Sequence, residues 1–151
     1  MNNREYTTLV NAGIWPEDPT VPLDEPFENS AGFIQNLVLE NFTSATYIYS
    51  GQNSIRSNHY HKTDWHYMFV VNGEMHYYWR PAGSKSPPQK RIYKAGEMMF
   101  TPPLVEHATF FPLHTDLMTF ARNVRDTEHH EADLVRVPII KFEDGKVVFC
   151  P

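Results

Sequence analysis

Short β-prone segments, each ended by turn-forming residues, recur along this sequence. The clearest runs of β-branched and aromatic residues are 43–50, 65–71 and 74–80. The chain has 12 prolines and 14% aromatic residues, a composition that favours strands and turns over long helices. No window of about 12 residues shows an apolar stripe with helical spacing. We therefore predict an all-β protein, a sandwich or a barrel. The other predicted strands are residues 33–40, 91–94, 98–101, 108–111, 116–122, 139–142 and 147–150.

Asn72-Gly73 lies between two of these runs and is typical of a β-hairpin, because both turn residues need positive φ. A two-residue turn pairs Val70 with Met75 and His66 with Trp79. Directly opposed residues share a face of the sheet. The register therefore predicts one largely apolar face with a histidine at its end, made of His66, Met68, Val70, Met75, Tyr77 and Trp79. Asp144-Gly145 predicts a last hairpin near the C-terminus.

Residues 1–30 contain four prolines and show no clean periodicity. We expect an extended N-terminal arm there, followed by a single β-barrel domain over residues 31–151. Trp15, Val21, Leu23 and Phe27 indicate that the arm packs against a protein surface. The sequence leaves open whether the arm straps its own subunit or is exchanged with a partner.

Charge and cysteine content exclude several classes of protein. The formal net charge is −5 and the 13 lysine and arginine residues are scattered, so we expect neither a nucleic-acid nor a membrane-surface partner. Cys150 is the one cysteine, which excludes an internal disulfide and a cysteine zinc site. No apolar stretch approaches the roughly 18 residues of a membrane helix, and the N-terminus lacks a signal-peptide core. We therefore expect a cytoplasmic protein.

Histidines are the strongest chemical signal in the chain. His59 and His61 lie two residues apart in a strand-like segment, so both imidazoles point to one face and converge as a metal ion requires. His66 opens the next strand, and His107 follows a strand and a Pro-Pro turn that return the chain toward the same interior. Met and aromatic neighbours supply the apolar body of a pocket.

These residues resemble the two motifs of the cupin superfamily. His59 and His61 match the His-x-His of the first motif, His66 stands in its glutamate position, and Gly73 follows at the expected distance. The second motif is matched by three residues at the right spacing, namely Gly96, Pro102 and His107. Three further positions depart from the pattern: Asn53 replaces the first glycine, with Gly51 two places early, Leu104 replaces the second-motif glycine, and Phe111 replaces its asparagine. The resemblance implies a small β-barrel of jelly-roll type, a double-stranded β-helix, with a metal in its mouth.

The resemblance also implies a ligand set. Cupins of this pattern bind a divalent metal through three histidines and a glutamate, which carries over to His59, His61, His66 and His107. Four neutral imidazoles leave the metal charge uncompensated and suit zinc, nickel or iron. His66 is either the fourth ligand or a neighbour of a three-histidine site.

The segment 55–62 and the segment 100–107 are similar to stretches of cupins that isomerise or epimerise sugar nucleotides. These enzymes transfer a proton beside a keto group, through an enolate that a metal stabilises. We therefore expect a metal-dependent isomerase, epimerase or lyase acting on a small oxygenated substrate. Two alternatives stay open: an iron dioxygenase that cleaves a dicarbonyl or diol, and a non-catalytic cupin that senses a small molecule.

Three further residues are candidates for acid-base chemistry. Tyr77 is the only ionisable group besides His66 on the inward face of the predicted hairpin, and it either donates a proton or simply packs. Glu106 and Glu97 are acid-base candidates or solvated surface residues. Small cupins are commonly dimers, so we expect a homodimer.

Overall fold

The structure is a computed structural model that describes residues 1–151, with two short helices and thirteen strands. The helices are α1 (Asn3–Asn11) and α2 (Thr127–Asp133). The strands are β1 (Phe27–Asn29), β2 (Gly32–Ile34), β3 (Ser44–Ser50), β4 (Ser54–His61), β5 (His66–Asn72), β6 (Glu74–Pro81), β7 (Gln89–Lys94), β8 (Met98–Thr101), β9 (Val105–Phe111), β10 (Thr115–Ala121), β11 (Leu134–Arg136), β12 (Ile140–Glu143) and β13 (Lys146–Phe149). Neither helix is long and apolar enough to span a bilayer.

Two antiparallel sheets form the body of the protein. One has the strand order β3-β10-β5-β8, and the other has the order β11-β4-β9-β6-β7. One apolar cluster takes side chains from both sheets, so their inner faces pack against each other. Its buried members are Met68, Val70, Met75, Tyr77, Tyr93, Met99, Phe111 and Leu117. The predicted all-β, jelly-roll fold is confirmed.

The predicted hairpin at Asn72-Gly73 is wrong, because β5 and β6 lie in different sheets. β5 pairs with β10 and β8, whereas β6 pairs with β9 and β7. Thr115 occupies the point where the two strands part: its hydroxyl donates to the carbonyl of Glu74 and accepts from the amide of Glu74. The turn is therefore a corner between sheets. The shared inward face was nevertheless predicted correctly, since Met68, Val70, Met75 and Tyr77 all join the core and Trp79 packs against it.

The N-terminal arm is not wholly extended, because its first part is helical. Asn2 caps α1 by accepting a hydrogen bond from the amide of Glu5, and Tyr6 and Val10, four residues apart, are buried on one face. The nine-residue helix is too short to show a long apolar stripe. Beyond it the arm is extended and hydrogen-bonds to the edge strand β8, through Val21 to Met98 and Phe100 to Pro19. In this structure the arm therefore straps its own chain.

Two other segments differ from the sequence prediction. Of the predicted strand 33–40, only Phe33 and Ile34 lie in a strand, at the end of β2 (Gly32–Ile34). Asn3 donates to the carbonyl of Leu37, so a side chain supplies a partner that a sheet would otherwise provide. The charged connection 126–133 contains α2, capped by the carboxylate of Asp126. The C-terminal hairpin formed by β12 and β13 is as predicted, and Ile139 and Ile140 pack with Phe110 outside the second sheet.

Candidate metal centre

A kink in β4 positions its histidines. The pairing of β4 with β9 shifts register between Ser57 and His59, and Ser57 and Asn58 both have positive φ, 73° and 55°. Such bulges bend a strand and re-aim its side chains. The amide of Asn58 holds the bulge in place, because its oxygen accepts hydrogen bonds from the backbone of Ile139 and Ile140 while its nitrogen donates to the carbonyl of Ile140.

His107 on β9 lies directly opposite His59 on β4. The preceding turn contains Leu104 with a φ of 61°, at the position where the cupin pattern has glycine. The amide of Leu104 donates to the carbonyl of His61, 2.8 Å away, so the turn that leads to His107 is hydrogen-bonded to β4. Asn53, at the other departure from glycine, also has a positive φ, 63°. Leu104 and Asn53 therefore both adopt the positive-φ backbone conformation that favours glycine, although neither is a glycine.

His59, His61 and His107 form one cluster. Each is buried, and each offers a ring nitrogen that lies within 4.8 Å of those of the other two. The ring centroid of His59 is 4.8 Å from that of His61 and 5.0 Å from that of His107. This convergence of three imidazoles is what the sequence predicted for these residues.

The electrostatics of the cluster keep its imidazoles neutral. Burial, reinforced for His59 and His61 by the neighbouring imidazoles, lowers the pKa of His59 to about 2 and that of His61 to about 3. Burial also lowers the pKa of His107 to about 4, against a hydrogen bond to the Val105 carbonyl that raises it. Neutral imidazole is the form that binds a metal.

Hydrogen bonding also suits the cluster to a metal. Nδ1 of His107 donates to the carbonyl of Val105 at 2.9 Å, which leaves Nε2 with a free lone pair. That Nε2, Nδ1 of His59 and both ring nitrogens of His61 are buried without a hydrogen-bond partner. Buried polar atoms are otherwise almost always paired. The donor set therefore fits a divalent metal ion of the kind that imidazole prefers.

His66 lies beside this cluster but outside the set of three. Its ring centroid is 5.5 Å from those of His61 and His107, and both of its ring nitrogens are buried without a partner. Burial lowers its pKa well below the usual value. Its role as a fourth ligand stays a prediction.

Helix α2 brings residues to the cluster that the sequence did not point to. The ring centroid of His130, which is not in the ligand set implied by the sequence, is 5.4 Å from that of His61. Oδ2 of Asp133 lies 3.5 Å from Nδ1 of His61 and accepts from the amide of Asp64, while Oδ1 of Asp133 accepts from the amide of Thr63. β11, which follows α2, pairs with β4, and this long-range pairing places the helix over the histidines. The adjacent pair His129-His130 was the only local signal.

A cavity of about 150 Å³ opens among His59, His61 and His66. Apolar side chains, including Met68 and Leu117, form part of its wall. Arg125, from the segment before α2, is also part of the wall. The cavity combines apolar walls with a few converging polar groups, as ligand sites do.

Tyr77 is buried in the core, with its ring centroid 6.4 Å from that of His107. Its hydroxyl accepts a hydrogen bond from Thr101 at 2.9 Å, and burial raises its pKa. Its ring stacks on Trp79, with the centroids 5.0 Å apart. Tyr77 and Trp79 line a second cavity, of about 210 Å³, below the arm residues Pro16 and Pro19.

The predicted acid-base glutamates have other partners. The buried carboxylate of Glu106 accepts from Arg80 at 2.8 Å and from the amide of Gly83 at 2.9 Å. Successive strand residues point to opposite faces, so Glu106 faces away from its neighbour His107. Glu97 accepts from the amide of Lys94 in the turn before β8. The structure does not bring either glutamate to the histidine cluster.

The fold is similar to that of solved sugar-nucleotide ketoisomerases. QdtA, a sugar 3,4-ketoisomerase from Thermoanaerobacterium thermosaccharolyticum solved in complex with TDP, superposes with a TM-score of 0.61 and 16% identity, over 74% of this chain and 82% of that chain. WlaRA, a TDP-fucose-3,4-ketoisomerase from Campylobacter jejuni, gives a TM-score of 0.62 and 13% identity, over 75% of this chain and 84% of that one. At such identities the likeness shows the fold, and the cupin fold implied by the two motifs is confirmed.

A third similar structure is the capsular polysaccharide assembling protein CapF from Staphylococcus aureus, with a TM-score of 0.58 and 15% identity. The match covers 78% of this chain but 33% of CapF. No family model and no curated protein matches the sequence.

Proposed function

We propose that this protein is a metal-dependent isomerase or epimerase that moves a proton next to the keto group of a sugar-nucleotide type substrate. The observation that carries the proposal is the convergence of three buried, neutral imidazoles beside a cavity. The fold supports the choice of reaction, because a variant of QdtA was solved in complex with TDP-4-keto-6-deoxyglucose, a keto sugar nucleotide. A homodimeric state and a cytoplasmic location stay predictions from the sequence.

His59, His61 and His107 would hold the metal, and His66 is the candidate for a fourth position. A divalent ion bound there would supply Lewis acidity toward a keto oxygen and so would lower the energy of the enolate. The neutral imidazole of His130, in the cavity wall and outside the ligand set, would accept the proton that the adjacent carbon loses. The carbonyl of Val105 orients His107 by a hydrogen bond, and the carboxylate of Asp133 lies 3.5 Å from Nδ1 of His61, where it favours the tautomer with a proton on that nitrogen. The apolar walls exclude water from the site and strengthen its electrostatic interactions.

Tyr77 is our proposed proton donor to the enolate. Its hydroxyl accepts from Thr101, so its own proton is free for donation, and its raised pKa keeps it protonated at neutral pH. The ring of Tyr77 lines the second cavity, and its centroid is 6.4 Å from that of His107. Proton donation by Tyr77 therefore requires a substrate that reaches both cavities.

Hydrogen exchange tests the proposal. Metal-loaded protein is incubated with TDP-4-keto-6-deoxyglucose in heavy water, and NMR follows deuterium uptake next to the keto group and the appearance of isomers. We expect exchange without oxygen consumption and its loss on metal removal. Tyr77→Phe should slow exchange about 10²-fold, whereas the exposed variant His129→Gln should leave it unchanged.

Two outcomes would contradict the proposal. Turnover that strictly requires oxygen would identify the dioxygenase alternative. Saturable binding of the keto sugar nucleotide without any exchange would identify a non-catalytic binding protein. An unchanged rate in Tyr77→Phe would remove the role of Tyr77 alone.

A further inference from the structure

Arg125 is a partly buried side chain in the wall of the histidine cavity, and one nitrogen of its guanidinium is a buried donor without an acceptor. Its Nη1 is shielded from solvent and has no hydrogen-bond partner. The backbone that carries it is fixed, because the hydroxyl of Ser44 accepts from the amide of Arg125 at 3.2 Å and donates to the carbonyl of Asn123 at 2.8 Å. Leaving a buried charged donor unpaired is costly, so an unpaired arginine held in a cavity wall indicates a missing anionic partner.

The cavity contains positive charge and no compensating carboxylate. Arg56 is a second guanidinium in its wall, and no aspartate or glutamate lines it. Asp64 is the carboxylate that acts on the charge of Arg125, but it accepts from the amide of Asn123 and forms no hydrogen bond with Arg125.

The number of free donors favours a small monoanion. Nε and Nη2 of Arg56 already donate to the hydroxyl of Ser50 and the carbonyl of Tyr49. The buried hydroxyl of Thr109, also in the cavity wall, has no partner. Apart from histidine nitrogens, Nη1 of Arg125 and the hydroxyl of Thr109 are the buried polar atoms of the wall that lack a partner, and as a pair they match the two oxygens of a carboxylate.

We propose that Arg125 binds a carboxylate group of the ligand inside the histidine cavity, with Thr109 as a second hydrogen-bond partner. The substrate class is then an oxygenated compound that carries a carboxylate near its reacting carbon, such as the acid form of a sugar or a small oxo acid. The inference rests on the proposed function in taking the histidine cavity as the substrate site.

Acetate and acetamide are suitable probes, because they have the same shape and differ in charge. The experiment titrates each into the full-length, metal-free protein at neutral pH and constant ionic strength, and NMR follows the imidazole signals of the cavity histidines. Metal-free protein prevents direct binding of acetate to a metal. The variants are Arg125→Gln, Arg125→Lys and, as the matched control, Arg122→Gln, an exposed arginine in the same segment.

We expect saturable signal changes with acetate and none with acetamide over the same concentration range. Arg125→Gln should raise the acetate Kd about 10-fold or more, Arg125→Lys should raise it less, and Arg122→Gln should leave it unchanged. The Lys variant keeps the charge, so it separates loss of the carboxylate partner from a general disturbance of the cavity.

Three results would overturn the inference. They are equal binding of acetate and acetamide, an unchanged acetate Kd in Arg125→Gln, and tighter binding of inorganic phosphate than of acetate through Arg125. The last result would identify a phosphate group as the source of the anion. Because binding is measured without turnover, absence of isomerisation leaves this inference standing, and absence of acetate binding leaves the proposed reaction standing.

Discussion

His59 and His107 lie opposite each other on neighbouring antiparallel strands, with ring centroids 5.0 Å apart and ring planes at 88°. Each comes from a different cupin-like motif, so the pairing of β4 with β9 is what joins the two motifs into one site. His61 completes the set from the same strand as His59.

Removal of a cluster histidine should remove the metal. In His59→Ala and His107→Ala we expect metal content after purification to fall by at least about 10-fold, because a three-imidazole site with one ligand missing binds weakly. Elemental analysis measures it, and His114→Ala, an exposed histidine in a loop, is the control. Full metal content in either cluster variant would show that the metal, if any, binds elsewhere.

Asp133 and His66, the two neighbours of the cluster, are expected to affect metal affinity to different degrees. Asp133→Asn should weaken metal binding by about 10–100-fold, as removal of a group that orients a ligand typically does. His66→Ala should weaken it more than Asp133→Asn if His66 is a fourth ligand. A competition titration with a chromogenic chelator measures both constants. Wild-type affinity in His66→Ala would restrict the ligand set to three histidines.

Acid should destabilise the metal-free protein. The folded-state pKa values of His59, His61 and His107, about 2, 3 and 4, lie below the unfolded value of 6.5. The unfolded chain therefore binds more protons over this pH range. The contribution of the neutral histidines to the free energy of unfolding is complete above pH 6.5 and is lost as the pH falls toward the folded-state pKa values. We expect the free energy of unfolding to fall between pH 7 and 5, on the order of 1 kcal/mol per histidine per pH unit below 6.5. Urea denaturation checks the slope, and His107→Gln should reduce it.

Leu104→Gly should stabilise the protein by up to about 1 kcal/mol. Leu104 has a φ of 61°, and a side chain in this region costs about 1–2 kcal/mol, which exceeds the extra unfolded-state entropy of glycine. Little packing is lost, since the residue is 56% exposed. The control is Leu113→Gly, also exposed but without positive φ, which should destabilise the fold. A lower denaturation midpoint in Leu104→Gly than in the wild type, or a higher one in Leu113→Gly, would refute the argument that Leu104 is strained.

Gly73→Ala should destabilise the protein by about 2 kcal/mol or more. A Cβ atom at this position would lie 2.6 Å from the carbonyl oxygen of His114 and 2.8 Å from Cα of Thr115, and φ is 101°. Thermal denaturation measures the loss. Gly51→Ala has open space and no positive φ, so a similar loss in both variants would mean that the corner is not a special position.

The predicted homodimer has a candidate contact in the hairpin of β1 and β2. Both strands are fully exposed, including Phe27, Phe33 and Ile34, and an isolated two-stranded hairpin is at best marginally stable in water. We expect a dimer mass by light scattering at micromolar concentration and a monomer mass for the double variant Phe33→Ser with Ile34→Ser. Leu113→Ser is the exposed control. A monomer mass for the wild type would end the prediction.

The sequence by itself determined most of the strands, the inward face of β5 and β6, and the common orientation of His59 and His61. Each follows from a local rule: β-prone runs end at turn residues, and alternate residues of a strand share a face. The backbone conformation at Asn53 and Leu104 follows from the cupin pattern, since both occupy glycine positions.

Only the tertiary structure decided which strands pair and what covers the cluster. A two-residue hairpin turn of the Asn-Gly type needs positive φ at both residues, whereas in the structure only Gly73 has a positive φ, 101°, so the pair forms a corner instead. The choice depends on β10 and β8 pairing with β5. Likewise, the pairing of β11 with β4 places α2 and His130 over the histidines, and the contact of Ser44 with residues 123–125 fixes Arg125 at the cavity. These are contacts between distant parts of the chain, and local periodicity carries no information about them.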